Sequence, residues 1–522
     1  MNYTSLFGYL FGEVVLTAAA FVILISDVMV HRKDDVGARN LRMARWTLAG
    51  LALAAVVYAI QFSNGNANFA DGMLVINPLN LFFKQVVLAI AAITVCFSME
   101  EPVSKHVGEY YAMILFGTIG MAFLVTSENL LMIFVSLELL SLCLYALVGF
   151  QKQILRSAEG AMKYFVFGAV SSAFLLFGLS YIYGATNSLS LPAIAETFKG
   201  DPLMARSPVL LIGILFTLVG FGFKIAVVPF HLWAPDAYEG AAAPVAGFVA
   251  SGSKVASFVA LTKFLLIGLA PAAGSAMITF DCHATGFFGK IFPFAYHFTP
   301  GWAPVIALMA FVSMIWGNLA AITQTNLKRL LAYSSVAHAG YILVALLGAK
   351  TWGQTAIYFY IIIYSLTNLG AFGIVTALAN KVGGDDIRCF AGVWKRAPGL
   401  TVLMMIFMLS LAGIPPLAGF FGKFYLFAAG LTGDKLQLGY LWLVITAILM
   451  SAVSFYYYLQ VLKVFYVSSA ERSPSTSLGA SGPISVCPCQ TWPMTVIALL
   501  IFLIGWYPTA LLDWIQGFLA KV

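Results

Sequence analysis

Long apolar runs separated by short polar segments recur along the whole chain. About 20 residues of helix cross a hydrocarbon core about 30 Å thick, because each residue adds about 1.5 Å. The pattern therefore predicts about fourteen transmembrane helices. We place them near residues 7–30, 42–62, 79–98, 109–127, 129–150, 158–184, 207–228 with a continuation to 241, 243–268, 301–322, 327–349, 353–380, 399–429, 437–466 and 492–516.

The composition excludes a water-soluble protein. Of the 522 residues, 61% are hydrophobic and 9% are charged, which is too little polar surface to cover soluble domains. The net charge of +7 therefore reflects loops at one membrane face and does not indicate nucleic-acid binding. The first apolar run contains Glu13 and has no cationic leader, so we interpret it as a retained span. Cys487-Pro-Cys489 is too short for a structural metal site.

The distribution of lysine and arginine predicts the orientation in the membrane. Positive charge concentrates in cytoplasmic loops, and here it concentrates after odd-numbered spans, so both termini are predicted on the outer side of a plasma membrane. The loop after the seventh span gives this orientation no support, since its charges are Asp236 and Glu239. The cations that carry the prediction are Arg32, Lys33, Arg39, Arg42 and Arg45, then Lys152 and Arg156, then Lys328 and Arg329, and finally Lys381, Arg388, Lys395 and Arg396.

A weak internal repeat indicates how the spans are organised. Tyr164 followed by Ser171 recurs as Tyr358 followed by Ser365, and a proline-interrupted span with a lysine follows each copy. Five spans per copy is an odd number, so the copies must be inverted in the membrane. The predicted fold class is an all-α polytopic membrane protein with two inverted five-helix repeats, each with a broken helix.

The repeats divide the chain into predicted regions. Leu189–Phe198 is expected to be a short amphipathic stretch on the outer side, and Ser468–Gln490 a flexible inner linker. The regions are an N-terminal three-helix segment at 1–108, repeats at 109–268 and 301–466, an extramembrane loop at 269–300, a cytoplasmic linker at 467–490 and a C-terminal helix at 491–522.

The two broken spans each place a lysine beside a proline. Lys224 lies in an apolar run five residues before Pro229, which cannot donate a helical hydrogen bond, and Lys423 follows Pro415-Pro416. Polar backbone at membrane depth must face protein or water, and a buried charge is costly unless it is paired or hydrated. We interpret both lysines as parts of an ion path. The alternative for Lys224 is snorkelling to the interface.

Further buried charges are candidates for the same path. Glu138 lies about nine residues into its span, near the midplane, and Lys224 is its expected partner. Lys254 is flanked by small residues that leave space for water. His231 and His338 can relay protons near neutral pH. The alternative for His338 is a core histidine bonded to a neighbouring serine.

Other site classes find little support. Haem would need two imidazoles facing each other at one depth, whereas the remaining histidines lie in predicted loops. Asp236 and Glu239 flank the restart of the first broken helix, where capping or interface contact is at least as plausible as proton transfer. The sequence contains no glycine-rich phosphate loop, nucleophile elbow or metal-ligand cluster.

Three motifs resemble one known family. The stretches FGFKIAVVPFHLWAPDAYEGAAAPV, LKRLLAYSSVAHAGYIL and GIPPLAGFFGKFY, in this order, are similar to the antiporter-like membrane subunits of respiratory complex I, the proton-pumping NADH:quinone oxidoreductase. Within the family the chain looks most like the subunit N type, called subunit 2 in mitochondria and plastids. Lys423 disfavours subunit M and the D-type subunit of multisubunit sodium/proton antiporters, where a glutamate is expected.

The resemblance implies a role for each buried charge. Glu138 would pair with Lys224, Lys254 would connect two half channels along the midplane, and Lys423 would be the terminal proton site. The chain would hold no cofactor and no metal, with NADH, FMN, iron–sulfur clusters and quinone used by other subunits. The implied partners are membrane lipid and other complex I membrane subunits, including subunit M and small subunits, with no nucleic acid.

Two alternatives remain from the sequence. One is a cation/proton antiporter subunit of a multisubunit Mrp-type antiporter that uses the same charges. The other is a membrane redox protein that binds quinone or haem. The first alternative shares the fold and the lysines, whereas the second predicts a cofactor in the isolated chain.

Overall fold

The computed structural model describes residues 3–29, 34–63, 65–100, 103–201, 203–280, 294–348, 350–431, 440–468 and 484–521. The first half contains α1 Tyr3–Met29, α2 Val36–Gln61, α3 Pro78–Phe97, α4 Val107–Thr126, α5 Leu130–Val148, α6 Leu155–Thr186, α7 Leu191–Gly200, α8 Pro208–Ile225, α9 Trp233–Gly240, α10 Ala243–Phe248 and α11 Lys254–Lys263. The second half contains α12 Trp302–Ile322, α13 Leu327–Leu346, α14 Lys350–Val382, α15 Val393–Arg396, α16 Pro398–Ala412, α17 Ala418–Gly430, α18 Leu441–Tyr466, α19 Pro488–Trp506 and α20 Pro508–Leu519.

The all-helical polytopic architecture predicted from the sequence is confirmed. Among the described residues, 13 helices are long and apolar enough to cross a membrane. One of them is the continuous run Ala243–Gly268, in which π-helical turns precede and follow α11. The shorter α16 is apolar as well, and the break at Gly413 separates it from α17. Together α16 and α17 correspond to the predicted span 399–429.

In the described part of the chain, the strands form two small hairpins outside the predicted spans. Ala67–Phe69 pairs antiparallel with Leu74–Ile76, and Ser275–Phe280 pairs antiparallel with Phe294–Thr299. The second hairpin lies in the predicted extramembrane loop, of which residues 281–293 are outside the described part. The predicted amphipathic stretch at Leu189–Phe198 forms the helix Leu191–Gly200.

The C-terminal region differs from the prediction in two ways. The predicted single span 492–516 is two helices, because Pro508 cannot continue the hydrogen bonding of α19. The last predicted helix also begins earlier, at Pro488, so the end of the stretch predicted as a flexible linker is helical. Residues 469–483 of that linker lie outside the described chain.

Small residues let the helices pack closely. A Cβ atom on Gly178 of α6 would lie 2.4 Å from the backbone nitrogen of Thr217 in α8. A Cβ atom on Gly317 of α12 would lie 2.6 Å from the backbone nitrogen of Ala337 in α13. Such close backbone approach is typical of membrane helix pairs, and it fixes α8 and α13, which carry the candidate site.

Candidate functional site

The first broken helix opens around Ala226, whose φ of 57° ends α8 in the left-handed region. Its polar backbone faces protein, as expected for irregular structure at membrane depth. The Val228 N–H donates to Ser313 Oγ at 2.9 Å, and the indole of Trp233 donates to the Phe223 carbonyl at 3.0 Å. The break is therefore held by hydrogen bonds to the second repeat and to α8.

Lys224 lies one residue before the end of α8 and is 5% exposed. Its Nζ lies 5.7 Å from the ring centroids of Tyr145 and Tyr164, which is within cation–π range. Trp233 stacks on Tyr164 with the ring centroids 4.0 Å apart. Among the described residues Nζ has no hydrogen-bond acceptor. Because Lys224 is buried in the protein, it does not snorkel to the membrane interface.

Glu138 does not form the direct ion pair with Lys224 that the sequence predicted. Its carboxylate accepts a hydrogen bond from Ser172 on α6. The carboxylate still interacts electrostatically with Lys224. The direct pair is therefore a wrong prediction for this conformation, because Ser172 occupies the carboxylate and aromatic rings surround the ammonium.

Lys254 follows a π-helical turn, Val249–Ser253, and its Nζ donates to the backbone carbonyl of Ser335 at 2.8 Å. The hydroxyls of Ser253 and Ser257 are buried without a hydrogen-bond partner among the described residues. Buried polar groups usually bind ordered water when no protein group forms a hydrogen bond with them. These hydroxyls give Lys254 the polar surroundings that a water chain needs.

His338 is bonded to two tyrosines. Nδ1 pairs with the Tyr360 hydroxyl and Nε2 with the Tyr458 hydroxyl, at 3.0 Å for the latter. Ser334 reaches the same network through Tyr458. The alternative of a histidine satisfied directly by a neighbouring serine is therefore wrong for the described contacts.

Helix α13 connects two of the buried lysines. Its Ser335 carbonyl accepts from Lys254, its His338 lies one turn further on, and the ring of its Tyr341 lies 5.5 Å from Lys423 Nζ. His338 and Tyr341 meet edge to face with centroids 5.5 Å apart. A single buried helix face thus carries polar groups from Lys254 to Lys423.

Lys423 binds the second broken helix directly. Its Nζ donates to the Ala412 carbonyl at 2.9 Å and to Ser451 Oγ at 2.9 Å. The Ala412 carbonyl is available because α16 ends there, with Gly413 at a φ of 86°. Glycine suits this position because the left-handed region disfavours a Cβ atom.

His231 is not part of this cluster. It is 4% exposed, and neither ring nitrogen has a hydrogen-bond partner among the described residues. Its ring lies 6.5 Å from those of Trp316 and Tyr333. The contacts of His231 therefore give the predicted relay role no support.

Asp236 and Glu239 join the first broken helix to neighbouring helices. Arg329 of α13 contacts Asp236 at 2.6 Å and Glu239 at 2.9 Å, and Lys163 of α6 contacts Asp236 at 2.7 Å. Burial alone would raise the pKa of Asp236, but hydrogen bonds from Lys163 and Arg329 hold it below its ordinary value. These carboxylates make the interface contacts that were one of their two expected roles.

Two buried ion pairs were missed in the sequence analysis. Glu13 of α1 and Lys84 of α3 lie 2.6 Å apart, with Lys84 Nζ 4.7 Å from the Tyr58 ring. Glu128 and Lys263 lie 3.3 Å apart near the ends of α4 and α11. The signal was available, because each is a charge within or beside an apolar run.

The Glu13–Lys84 pair predicts a distinctive rescue. Lys84→Met alone leaves Glu13 as an unpaired buried charge, which costs about 3–5 kcal/mol. Glu13→Gln together with Lys84→Met removes both charges and is expected to restore most of the thermal stability of the subunit in its purified assembly. Lys199→Met, which breaks an exposed pair with Glu196, is the control and should leave stability unchanged. A double variant less stable than Lys84→Met would contradict the pairing.

The fold and the buried amines of Lys224, Lys254 and Lys423 define a membrane protein of the antiporter-like class. Residues 127–269 and 267–451 match the family described as NADH:quinone oxidoreductase/Mrp antiporter, TM. The chain is 41% identical to NADH-quinone oxidoreductase subunit N 2 of Acidobacterium capsulatum, with 99% of each chain covered. This chain belongs to the NADH:quinone oxidoreductase/Mrp antiporter transmembrane family.

Solved structures agree with this assignment. A chain of respiratory complex I from Thermus thermophilus, with bound aureothin, is 29% identical and superposes with a TM-score of 0.74 over 96% of this chain and 98% of that one. A chain of the Mrp complex from Dietzia sp. has a TM-score of 0.75 over 98% and 97% of the two chains. At 18% identity the second match supports the fold alone.

The described residues show no cluster of metal ligands. In that part of the chain no three histidine, cysteine, aspartate or glutamate side chains are grouped to hold a metal ion. The polar groups of the site are amines, hydroxyls, an imidazole, carbonyls and the carboxylate of Glu138. These groups can donate, accept and relay protons.

Proposed function

We propose that this chain is a proton-translocating membrane subunit of an NADH:quinone oxidoreductase and corresponds to its subunit N. The observation that carries the proposal is the face of α13 between Lys254 and Lys423, where a carbonyl, an imidazole and a tyrosine ring lie in sequence within a buried bundle. The naming of the Acidobacterium capsulatum relative supports the assignment to this complex.

The path begins at Lys224 and ends at Lys423. Lys224, next to the first break, loads a proton under the control of Glu138, which is held by Ser172 until the pair forms. Water bound at the hydroxyls of Ser253 and Ser257 carries the proton to Lys254. Quinone reduction elsewhere in the complex drives this transfer, so this chain carries out none of the NADH or quinone chemistry itself.

His338 is the relay between Lys254 and Lys423. Its two ring nitrogens contact Tyr360 and Tyr458, so it can accept a proton at one nitrogen and release it from the other. Lys423 then releases the proton to the far side through the second break. His231, beside the first break, stays a predicted relay.

The orientation belongs to the proposal. Positive loops after odd-numbered spans favour a cytoplasmic 39–45 segment and outer termini in the plasma membrane. A single cysteine at Arg45→Cys should therefore react with an impermeant maleimide only from the cytoplasmic side. Asp71→Cys should react only from outside, and the reverse labelling would overturn the orientation.

The partners are the other membrane subunits of the complex, including a neighbouring subunit M and small subunits. The long apolar helices α1 and α2 expose large side chains such as Phe21, Ile25 and Leu53, which suit lipid or a neighbouring subunit. NADH, FMN, iron–sulfur clusters and quinone belong to other subunits. An Mrp-type antiporter subunit remains the second candidate, supported by the shared fold.

Expression of the chain alone separates these functions. The purified chain should show no NADH:quinone activity and no haem or flavin absorbance, and affinity purification from its native membrane should recover peripheral flavin and iron–sulfur subunits. Recovery of antiporter subunits without peripheral redox subunits would favour the Mrp-type function. Quinone reduction by the lone chain would contradict both.

A further inference from the structure

Cys487 and Cys489 face each other at the start of α19. Their Sγ atoms lie 2.6 Å apart, and both residues are partly exposed as free cysteines. Cys487 is the N-cap of the helix and its Sγ accepts the N–H of Cys489 at 3.4 Å. Pro488 at the first helical position fixes the backbone between them. The helix start therefore holds two thiols in contact before any bond forms.

The dithiol is attached to an ion pair at a cavity. The backbone N–H of Cys487 donates to one oxygen of Glu100 at 3.3 Å, and the other oxygen accepts Lys381 at 2.7 Å. Lys381 also donates to the Ser485 carbonyl at 2.9 Å. Glu100, Lys381 and Gln490, the residue after Cys489, line a cavity of about 310 Å³.

The sulfur separation argues against a metal clip. Two thiolates on one zinc ion at about 2.3 Å each, in tetrahedral geometry, would lie about 3.8 Å apart, close to van der Waals contact of the sulfurs. Here the sulfurs are far closer, between that contact and the length of a disulfide bond, about 2.05 Å. Among the described residues no third metal-binding side chain joins them.

We propose that Cys487 and Cys489 form a thiol–disulfide site that exchanges with low-molecular-weight disulfides. One cysteine thiolate attacks the small disulfide, which gives a mixed disulfide and releases one small thiolate. The second cysteine thiolate attacks the cysteine sulfur of the mixed disulfide and releases the other small thiolate. The pair is oxidised by two electrons, the small disulfide is reduced to two thiols, and those thiols take up the two cysteine protons.

Formation of the Cys487–Cys489 disulfide changes the start of α19. The Cys487 sulfur that caps the first turn becomes part of a short ring, so its hydrogen bond from the Cys489 N–H is rearranged. The backbone N–H of Cys487 donates to Glu100, so the new ring forms directly beside the Glu100–Lys381 ion pair.

The test uses the assembled complex in buffers of graded reduced and oxidised glutathione. After acid quenching and alkylation, the peptide that holds both cysteines should pass from two alkylated thiols to none, at a mass two hydrogens below the reduced form. Cys389 should stay alkylated at each ratio, as an internal control. Two alkylatable thiols at every ratio, or a disulfide from either residue to Cys96, would overturn the proposal.

A variant traps the intermediate. Cys487→Ser should leave Cys489 carrying one glutathione as a stable mixed disulfide, because no second thiol resolves it. Cys389→Ser is the matched control and should not shift the redox midpoint of the pair. A Cys487→Ser peptide that never gains glutathione would contradict the exchange. If that variant does not assemble, the wild-type peptide mass decides the question. The readout is independent of proton transfer, so it separates this proposal from the proposed function.

Discussion

Lys423→Ala is expected to reduce proton pumping at least about tenfold in the assembled complex, a barrier increase of about 1.4 kcal/mol or more. The amine binds the Ala412 carbonyl at the second break and Ser451, and its loss removes the terminal group of the proposed proton path. A blocked exit also slows the coupled redox reaction. Quinone reduction should fall with pumping, whereas NADH oxidation by an artificial acceptor at the peripheral arm should continue.

Two matched variants separate proton release from structure at this site. Lys423→Arg keeps a positive charge and hydrogen-bond donors but cannot release a proton, so it should fail like Lys423→Ala. Ser451→Ala removes one acceptor and keeps the amine, so it should pump at a rate nearer to wild type. Wild-type pumping in Lys423→Arg would show that the residue supplies charge alone.

Glu138 and Lys224 are expected to act as one unit. Removing either leaves the other without its counter-charge in low dielectric. Both single alanine variants should therefore stop proton loading at the same step, and the double variant should be little worse than either one. Pumping and quinone reduction in the three variants measure this coupling.

Ser172→Ala is a structural control for the Glu138 and Lys224 variants. The hydroxyl holds the Glu138 carboxylate in the described conformation, away from a direct pair with Lys224. Its removal should change the pumping rate while Lys224 still titrates, and it should have no effect in the Glu138→Ala background. Additive losses in the Glu138, Lys224 double variant would contradict the proposed unit.

The spans and the lysines were predictable from the sequence because both follow from elementary costs. The length of an apolar run predicts a membrane-spanning helix, and a lysine within such a run, such as Lys254, predicts a buried amine. Helix ends were less predictable, since Pro508 ended a span that hydropathy alone continued. The paired broken helices were predictable because a proline within an apolar run indicates an interrupted helix.

The partners of the charges were not predictable. Lys84 binds Glu13 from another helix, and the sequence around either residue does not indicate this pair. Lys254 binds a backbone carbonyl, and no residue type predicts such a partner. The tyrosines around His338 resemble ordinary core aromatics in the sequence, because Tyr360 lies on the next helix and Tyr458 lies 120 residues from His338. Packing between helices determines these contacts, and a single sequence does not encode it in any local pattern.

The most direct measurement is proton uptake per quinone reduced, in membrane vesicles that carry the assembled complex with Lys224→Ala. Lys152→Ala, at an exposed lysine, is the control and should match wild type. We expect Lys224→Ala to lose both pumping and quinone reduction, while NADH oxidation by an artificial acceptor is unchanged. Pumping at the wild-type stoichiometry in an intact Lys224→Ala complex would refute the proton-loading role of Lys224 and leave it as a structural residue of the broken helix.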